Sequence, residues 1–310
     1  MNNTLLIYWP IGPTFKDRMK SNLKMFNSYK FFDVLIATDD PEYFSDIDYP
    51  NVNILDLNHY RNAYSEFNEF ECLPDEKKDS CLYREQFNEL ISKGIRFPLN
   101  VQRFSLLYEN IDKYEAISIL DCDMIPVYTE EEFERFQNYL KNVMPINSIS
   151  TNRAYYTWDS DQTMSLLNRY GNELNKTFSN EAPLEGFDGL FKLYKFENSI
   201  KIKKFFETWN YIVLDCFKTN NHLIKGSWNV LIEEILAVVY RLENIKPNKD
   251  SLDYTEVRGI KSYNFPEDRY WDDWTHEGFD VSASSKDDFI EKNYEKLKNY
   301  YTNQGLKFTY

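Results

Sequence analysis

The stretch that decides the fold is SILDCDMIPV, residues 118–127. It begins with the end of an apolar run, which is typical of a buried strand, and continues with two carboxylates one residue apart, Asp121 and Asp123. Apolar residues then resume at Met124. Like charges this close raise each other's pKa unless a cation neutralises them. The pattern therefore predicts a strand that ends at a cation site.

The alternative interpretation is a solvated turn, because aspartate is common where strands end. A D-x-D spacing alone is a weak signal, but here a buried strand precedes it and apolar residues follow it. Mg²⁺ and Mn²⁺ prefer oxygen ligands and keep waters and substrate phosphates in their shell. The context therefore favours a metal that is held for a diphosphate over a structural metal.

The sequence before this stretch predicts an α/β unit. LLIYWP (5–10), FFDVLIATDD (31–40) and NVNILDL (51–57) are typical of buried strands, and residues 14–29 have helical spacing. Strand–helix–strand order predicts a mostly parallel sheet flanked by helices, in which ligands bind at the carboxyl ends of the strands. Besides the D-x-D pair, the side chains expected there are Tyr8, Trp9, Asp39 and Asp40.

The rest of the chain predicts further helices and one unusual segment. Helices are expected over residues 101–111, 130–143, 200–217, 229–242 and 287–301, and residues 183–195 predict a loop that enters a strand. Residues 58–98 are polar and charged, which indicates an insertion into the core sheet. We expect one domain over 1–310, with a helical segment at 280–310.

Composition limits the classes of function. The formal net charge is −14, which argues against nucleic-acid binding, because phosphate contacts need clustered Lys and Arg. The four cysteines have no CxxC spacing, so no zinc or redox motif is predicted. Met1 is followed by polar residues and a short apolar run that Pro10 interrupts, so we expect no signal peptide, and the sequence has no apolar run of about 20 residues. We expect a cytoplasmic protein without a transmembrane segment.

The segment RFSLLYENIDKYEAISILDCDMIPV (103–127) resembles the Arg–helix–strand–D-x-D region of GT-A-type glycosyltransferases, both the glycogenin/galactosyltransferase-like family and initiating mannosyltransferase-like enzymes. The resemblance implies a GT-A-like (Rossmann-like) mixed, mostly parallel sheet. It also implies transfer of a sugar from a nucleotide diphosphate sugar, foremost a UDP-sugar, to a hydroxyl of a glycan, protein or small molecule. The implied cofactor is Mn²⁺ or Mg²⁺.

The same resemblance implies roles for individual residues. Arg103 would contact the donor, and the strand-end residues Tyr8, Trp9, Asp39 and Asp40 would flank the nucleoside. Asp123 would be the firmer metal ligand and Asp121 would be shared with the donor, while Cys122 would point into the core.

Two later segments also resemble these enzymes. GFDGLFKLYK (186–195) is similar to the F-N-x-G segment beside the transferred sugar, with Asp188 in place of the usual Asn. Asp188 and Glu185 are therefore the candidate catalytic carboxylates. WTHEGFD (274–280) is similar to part of an H-x-x-G-x-x-K-P-W motif, although the spacing here is H-x-G and Lys-Pro-Trp is missing. His276 is the candidate third metal ligand, and His59 and His222 are less suited.

Weaker candidates and other functions stay open. Arg258 and Lys261 are candidate cations for the leaving diphosphate, and Glu233 or Glu234 is a candidate polar group within an apolar helix. A sugar nucleotidyltransferase is the alternative enzyme, but the sequence has neither G-x-G-x-x-G nor G-K-[ST]. G-x-S-x-G is also absent, which argues against a serine hydrolase. A non-catalytic carbohydrate-binding protein with the same fold is the alternative from a different class.

Overall fold

The structure is a computed structural model. It describes residues 3–25, 27–57, 106–107, 109–122, 124–126, 128–150, 155–158, 161–187, 191–218, 228–250, 260–262 and 286–303. The strands are β1 (Thr4–Tyr8), β2 (Asp33–Thr38), β3 (Val52–Asp56), β4 (Ala116–Leu120), β5 (Met124–Pro126), β6 (Ser148–Ser150), β7 (Tyr155–Trp158), β8 (Leu184–Phe187), β9 (Phe191–Lys195), β10 (Lys246–Pro247) and β11 (Ile260–Ser262). The helices are α1 (Pro13–Met25), α2 (Glu130–Asn142), α3 (Asp161–Glu173), α4 (Ser199–Lys218), α5 (Trp228–Leu242) and α6 (Lys286–Asn303).

In the described part of the chain, the central sheet has seven strands in the order β10-β6-β9-β4-β1-β2-β3. β1 pairs in parallel with β2 and β4, β2 with β3, and β6 with β10. β9 pairs antiparallel with both of its neighbours, β4 and β6. All strands of this sheet except β9 therefore point the same way, and the predicted mixed, mostly parallel sheet is confirmed.

Helices cover both faces of the sheet because side chains alternate along each strand. Leu5 and Ile7 of β1, and Trp9 directly after it, face one core, which includes residues of α3, α4 and α5. Leu6 and Tyr8 face the other core, which includes residues of α1, α2 and α6. We call these the α3–α5 face and the α1–α2–α6 face. In the part of the chain that the structure describes, no helix is long and apolar enough to cross a membrane.

Several elements differ from the sequence-based expectation. Residues 184–195 form two strands, β8 and β9, where one strand was expected. Helix α3 was not predicted, because aromatic and acidic residues obscure its apolar spacing. The two-stranded sheets β5–β11 and β7–β8 were also missed, because strands of three or four residues carry almost no periodic signal. The insertion at 58–98 lies outside the described residues, and the single-domain division stays a prediction.

A row of lysines on α1 ties this helix to the connection between β2 and β3. Lys16, Lys20 and Lys24 recur every four residues, so they share one side of the helix. Lys20 Nζ lies 2.5 Å from Asp46 Oδ1, and Lys24 Nζ lies 2.8 Å from Asp46 Oδ2. Hydrogen bonds from Lys20 and then Lys24 lower the pKa of the Asp46 carboxyl from 3.8 to about 2.

This pKa shift predicts a stability difference that depends on pH. The folded-state pKa of Asp46 lies below its unfolded value, so its contribution is complete above about pH 4 and is lost as pH falls towards 2. We expect Asp46→Asn to lower the free energy of unfolding at pH 6 by more than at pH 3, as measured by urea titration. High salt should shrink the difference, because the pair is exposed.

Asp48→Asn is the matched control, since Asp48 is exposed in the same connection and has no ion pair with a described residue. An equal, pH-independent effect of the two substitutions would show that the lysine row does not act on Asp46.

Candidate functional site

The order of the strands creates one reversal point in the sheet. From β1 the chain adds β2 and β3 on one side, and β4 then returns to pair with the other side of β1. In open α/β sheets, ligands bind outside the carboxyl ends of the strands at such a reversal. Tyr8 pairs with Leu120 at the last rung of the β1–β4 ladder. Trp9 and Asp121, which follow them, therefore begin the two loops at the reversal point.

Asp121 begins a tight turn between β4 and β5. The backbone N–H of Met124 donates to the carbonyl oxygen of Asp121 at 2.9 Å, which closes the turn. The side chain of Asp121 is half-buried, and that of Cys122 is 4% exposed and packs into the core on the α1–α2–α6 face. The expectation that Cys122 points into the core is therefore confirmed. Asp123 lies outside the described residues.

Three buried side chains from the amino-terminal part of the chain hold this turn through its backbone. They donate to the carbonyl oxygens of alternate residues: Asn22 Nδ2 to Cys122 at 2.7 Å, Tyr8 Oη to Met124 at 2.9 Å, and Ser28 Oγ to Pro126. We call this set the carbonyl clamp. A buried carbonyl left without its donor would cost about 1–3 kcal/mol. The clamp therefore fixes the backbone that follows Asp121.

The clamp gives Tyr8 a contact that the sequence did not predict. Its side chain is fully buried and faces the α1–α2–α6 core, where its ring meets that of Tyr29 edge-on at a centroid distance of 6.0 Å. Burial also raises the pKa of the Tyr29 hydroxyl far above its ordinary value. Tyr8 therefore supports the turn from the α1–α2–α6 face of the sheet. Its contact with a nucleoside stays a prediction.

Trp9 lies on the opposite face from Tyr8. Its side chain is only 9% exposed and belongs to the core on the α3–α5 face. The indole Nε1–H is buried and has no hydrogen-bond acceptor among the described residues. An unsatisfied buried donor is costly, so an acceptor that arrives with a ligand at this edge would be favoured.

The two acidic residues after β2 contact a lysine. Lys16 Nζ lies 3.2 Å from Asp40 Oδ2 and 3.6 Å from Asp39 Oδ1. Thr38 Oγ1 donates to the carbonyl oxygen of Pro10 at 3.1 Å, which joins the ends of β1 and β2. Asp39 and Asp40 thus lie at the carboxyl edge of the sheet, as predicted, with Lys16 beside them. Contact of Asp39 with a donor stays a prediction.

The candidate catalytic carboxylates come from the region around β8 and β9. Glu185 lies on β8, and its Oε1 accepts a hydrogen bond from Lys249 Nζ at 2.5 Å, so this carboxylate already has a cationic partner. Asp188 lies outside the described residues. The nearest described residue after it, Phe191, pairs with Leu120, the residue before Asp121. The amino end of β9 and the D-x-D turn therefore share one edge of the sheet.

The other predicted ligands lie outside the described residues. These are Arg103, Asp123, Arg258 and His276. The backbone of Lys261 pairs with Ile125 in the β5–β11 ladder, so this late segment returns beside the D-x-D turn. Within the described ranges, no three His, Cys, Asp or Glu side chains are grouped closely enough to hold a metal. The carboxylate of Asp121 at the strand end fits the chemistry of Mn²⁺ or Mg²⁺, which keep waters and phosphates in their shell.

Two kinds of residue in this region, the donors of the carbonyl clamp and a buried lysine, belong to none of the predicted motifs. Asn22 of the clamp is a polar residue on the apolar side of α1, three positions after the buried Met19, and this position was a usable signal. Lys192 is a buried cation inside β9, and a lysine between the apolar residues Phe191 and Leu193 was also a signal. Ser28 carried none, because a serine near a turn is common.

No protein-family model matches the sequence, and no curated protein is significantly similar to it. Solved structures with a similar arrangement of the chain include three glycosyltransferases. Mouse xyloside xylosyltransferase 1 in its apo form is 13% identical with a TM-score of 0.37, over 80% of this chain and 84% of that one. The PaToxG glycosyltransferase is 16% identical with a TM-score of 0.34, over 97% and 87%.

The galactosyltransferase LgtC, solved with donor and acceptor sugar analogues, is 9% identical with a TM-score of 0.36, over 96% of this chain and 99% of that one. Identities and TM-scores this low assign no role to any residue of this chain.

The carbonyl clamp predicts the effect of Tyr8→Phe. The substitution keeps the ring and removes the donor to Met124, so we expect the free energy of unfolding to fall by about 1–2 kcal/mol. Because the D-x-D turn loses one of its supports, the stabilisation of the protein by Mn²⁺ should also weaken. Urea unfolding and thermal unfolding with and without Mn²⁺ measure the two effects.

Tyr139→Phe is the matched control. Tyr139 is equally buried and its hydroxyl contacts Ser150 Oγ at 2.8 Å and Asn248 Nδ2 at 3.0 Å, next to β6 and β10. We expect a similar loss of stability with an unchanged response to Mn²⁺. If both variants respond to Mn²⁺ as the wild type does, the clamp does not support a metal site.

Proposed function

We propose that this protein is a metal-dependent glycosyltransferase that moves a sugar from a nucleotide diphosphate sugar, foremost a UDP-sugar, to a hydroxyl acceptor. The single observation that carries the proposal is the position of the D-x-D pair. Asp121 begins the turn at the carboxyl end of β4 that the carbonyl clamp holds. This turn lies next to the end of β1, where the strand order reverses. This is the edge at which α/β sheets bind nucleotides.

Charge supports a metal in this reaction. The chain carries a net charge of −14, so a diphosphate needs a local cation to approach it. Asp121 and Asp123 are the proposed protein ligands for Mn²⁺ or Mg²⁺, with His276 as the proposed third. When bound, the metal ion would neutralise charge that develops on the leaving diphosphate. Arg103 is proposed to contact the donor from the segment before β4.

The nucleoside is proposed to lie over the end of β1. The buried Nε1–H of Trp9, which has no acceptor among the described residues, offers a hydrogen bond to it. Asp39 is proposed to contact the ribose or base from the end of β2. Because Lys16 lies 3.6 Å from Asp39, donor binding would have to share or replace that ion pair.

The acceptor is proposed to bind beside the segment that joins β8 and β9. Asp188 is the proposed general base. It lies three residues before Phe191, which pairs with Leu120 at the end of β4. Glu185 is the second candidate, and its ion pair with Lys249 leaves it less suited to accept a proton. The insertion at 58–98 is proposed to contribute to acceptor specificity, since loops commonly carry it.

A donor screen by nucleotide release tests the proposal. With Mn²⁺, the wild type should release UDP or GDP from one of the common sugar nucleotides, and excess chelator should abolish the release. Asp123→Asn and Asp121→Asn should lower the rate by at least about 100-fold, because each removes a charge that holds the metal. Asp48 precedes the amino end of β3, whereas the proposed site lies at the carboxyl ends of the strands. Asp48→Asn should therefore leave the rate unchanged.

Thermal unfolding of the wild type with UDP and Mn²⁺ distinguishes catalysis from binding alone. Stabilisation by UDP and Mn²⁺ without release from any donor would favour the non-catalytic carbohydrate-binding alternative. Absence of both stabilisation and release with UDP- and GDP-sugars would overturn the proposed function.

A further inference from the structure

Two carboxylates follow β2 directly, and a lysine from another element lies beside both of them. Asp39 and Asp40 are adjacent in the chain, at the carboxyl edge of the sheet. Two negative charges this close repel each other unless a cation compensates them. That cation is Lys16, which comes from the first turn of α1. The helix that follows β1 therefore returns to the end of β2 through a charge contact.

The ammonium of Lys16 contacts the two carboxylates at different distances. Its Nζ donates a hydrogen bond to Asp40 Oδ2 at 3.2 Å and lies 3.6 Å from Asp39 Oδ1. The second distance is longer than an ordinary N–H···O hydrogen bond, so the contact with Asp39 is one of charge. The side chains of Lys16 and Asp39 are 12% and 23% exposed, against 45% for Asp40. Solvent therefore screens the Lys16–Asp39 pair less than it screens a surface ion pair.

The helix that carries Lys16 is anchored beside this contact by the next lysine of the row. Lys20 Nζ donates to the carbonyl oxygen of Tyr43 at 2.7 Å and lies 2.5 Å from Asp46 Oδ1. The same ammonium lies 4.7 Å from the centre of the Tyr43 ring, which is close enough for a cation–π interaction. Lys16 therefore extends from a helix whose position does not depend on the contact with Asp39.

The backbone that carries Asp39 is also held on both sides. Thr38 is fully buried, and its Oγ1 donates to the carbonyl oxygen of Pro10 at 3.1 Å. The same oxygen accepts a hydrogen bond from the backbone N–H of Asp40 at 3.3 Å. The backbone thus fixes where Asp39 starts, and the ammonium of Lys16 acts on its carboxylate.

We propose that Lys16 is a positioning residue that holds the carboxylate of Asp39 for the nucleoside of the donor, and that their ion pair persists when the donor binds. This inference rests on the proposed function. Ribose hydroxyls and base N–H groups are donors, and an ionised carboxylate accepts from them. Because the hydrogen bond of Lys16 goes to Asp40, the ammonium compensates the charge of Asp39 without taking the place of such a donor.

The direction of one effect separates this role from its opposite. If Lys16 positions Asp39, Lys16→Met weakens the binding of UDP with Mn²⁺ by about 5- to 20-fold in isothermal titration, as for coupled residues in contact. If Lys16 occupies Asp39 until a donor replaces it, the same substitution tightens binding, and the proposal is wrong. Lys16→Arg should retain most of the affinity, because the charge remains. Lys16→Gln replaces Lys16→Met if the latter does not fold, and the same loss is expected.

Lys20→Met is the matched control, because it removes the same charge one helical turn away. Lys20 contacts Asp46 and the backbone of Tyr43. The substitution should therefore lower the free energy of unfolding in urea and leave the affinity for UDP unchanged. An equal loss of affinity in Lys16→Met and Lys20→Met would show an effect of overall charge or of helix anchoring, and would overturn the role of Lys16.

A double-mutant cycle tests whether Lys16 acts through Asp39. Asp39→Asn should itself weaken the binding of UDP, and Lys16→Met should cause no further loss in that background. A merely structural role of Lys16 would give the same loss of affinity with and without Asp39→Asn. If the donor screen selects a GDP-sugar, GDP replaces UDP in all these measurements.

Failure of this inference and failure of the proposed function are distinguishable. A wild type that binds neither UDP nor GDP with Mn²⁺ overturns the proposed function and the role of Lys16 with it. A wild type that binds UDP, together with a Lys16→Met variant of equal or higher affinity, overturns the role of Lys16 alone.

Discussion

The parallel pairing of β1 with β4 is the constraint on which the rest of this structure depends. It joins residues more than 110 positions apart in the sequence and ends with Tyr8 opposite Leu120. Because β2 and β3 had already extended the sheet on the other side of β1, this pairing creates the reversal in strand order. It therefore brings Trp9, which begins the loop after β1, beside Asp121, which begins the turn after β4.

Successive side chains of β1 belong to the cores on opposite faces of the sheet. Trp9, directly after the strand, packs in the core with α3–α5, whereas Tyr8 faces the opposite core and donates a hydrogen bond to the backbone of the turn after β4. Two consecutive residues thus have different surroundings. A turn that is held through its backbone by a packed core is preorganised, which is what the stabilisation of developing charge requires.

Sequence alone predicted the parts of the fold that carry a strong periodic signal. The buried strands at 5–10 and 31–40 and the long helices α4 and α5 were predictable, since apolar runs and helical spacing identify them. The D-x-D position at a strand end followed from the same pattern. The pairing of β9 between β4 and β6 was not predictable, because register depends on contacts across the whole sheet. For the same reason, sequence alone assigned Tyr8 and Trp9 a common role, although they face opposite cores.

The antiparallel strand β9 also covers an edge of the sheet that would otherwise be open. Both of its neighbours, β4 and β6, precede it in the chain. Without β9, β4 would be the edge of the four strands β4, β1, β2 and β3, and every residue of β4 is buried in the complete protein. An apolar open edge favours pairing with other chains. Strand β9 therefore protects the protein from aggregation through β4.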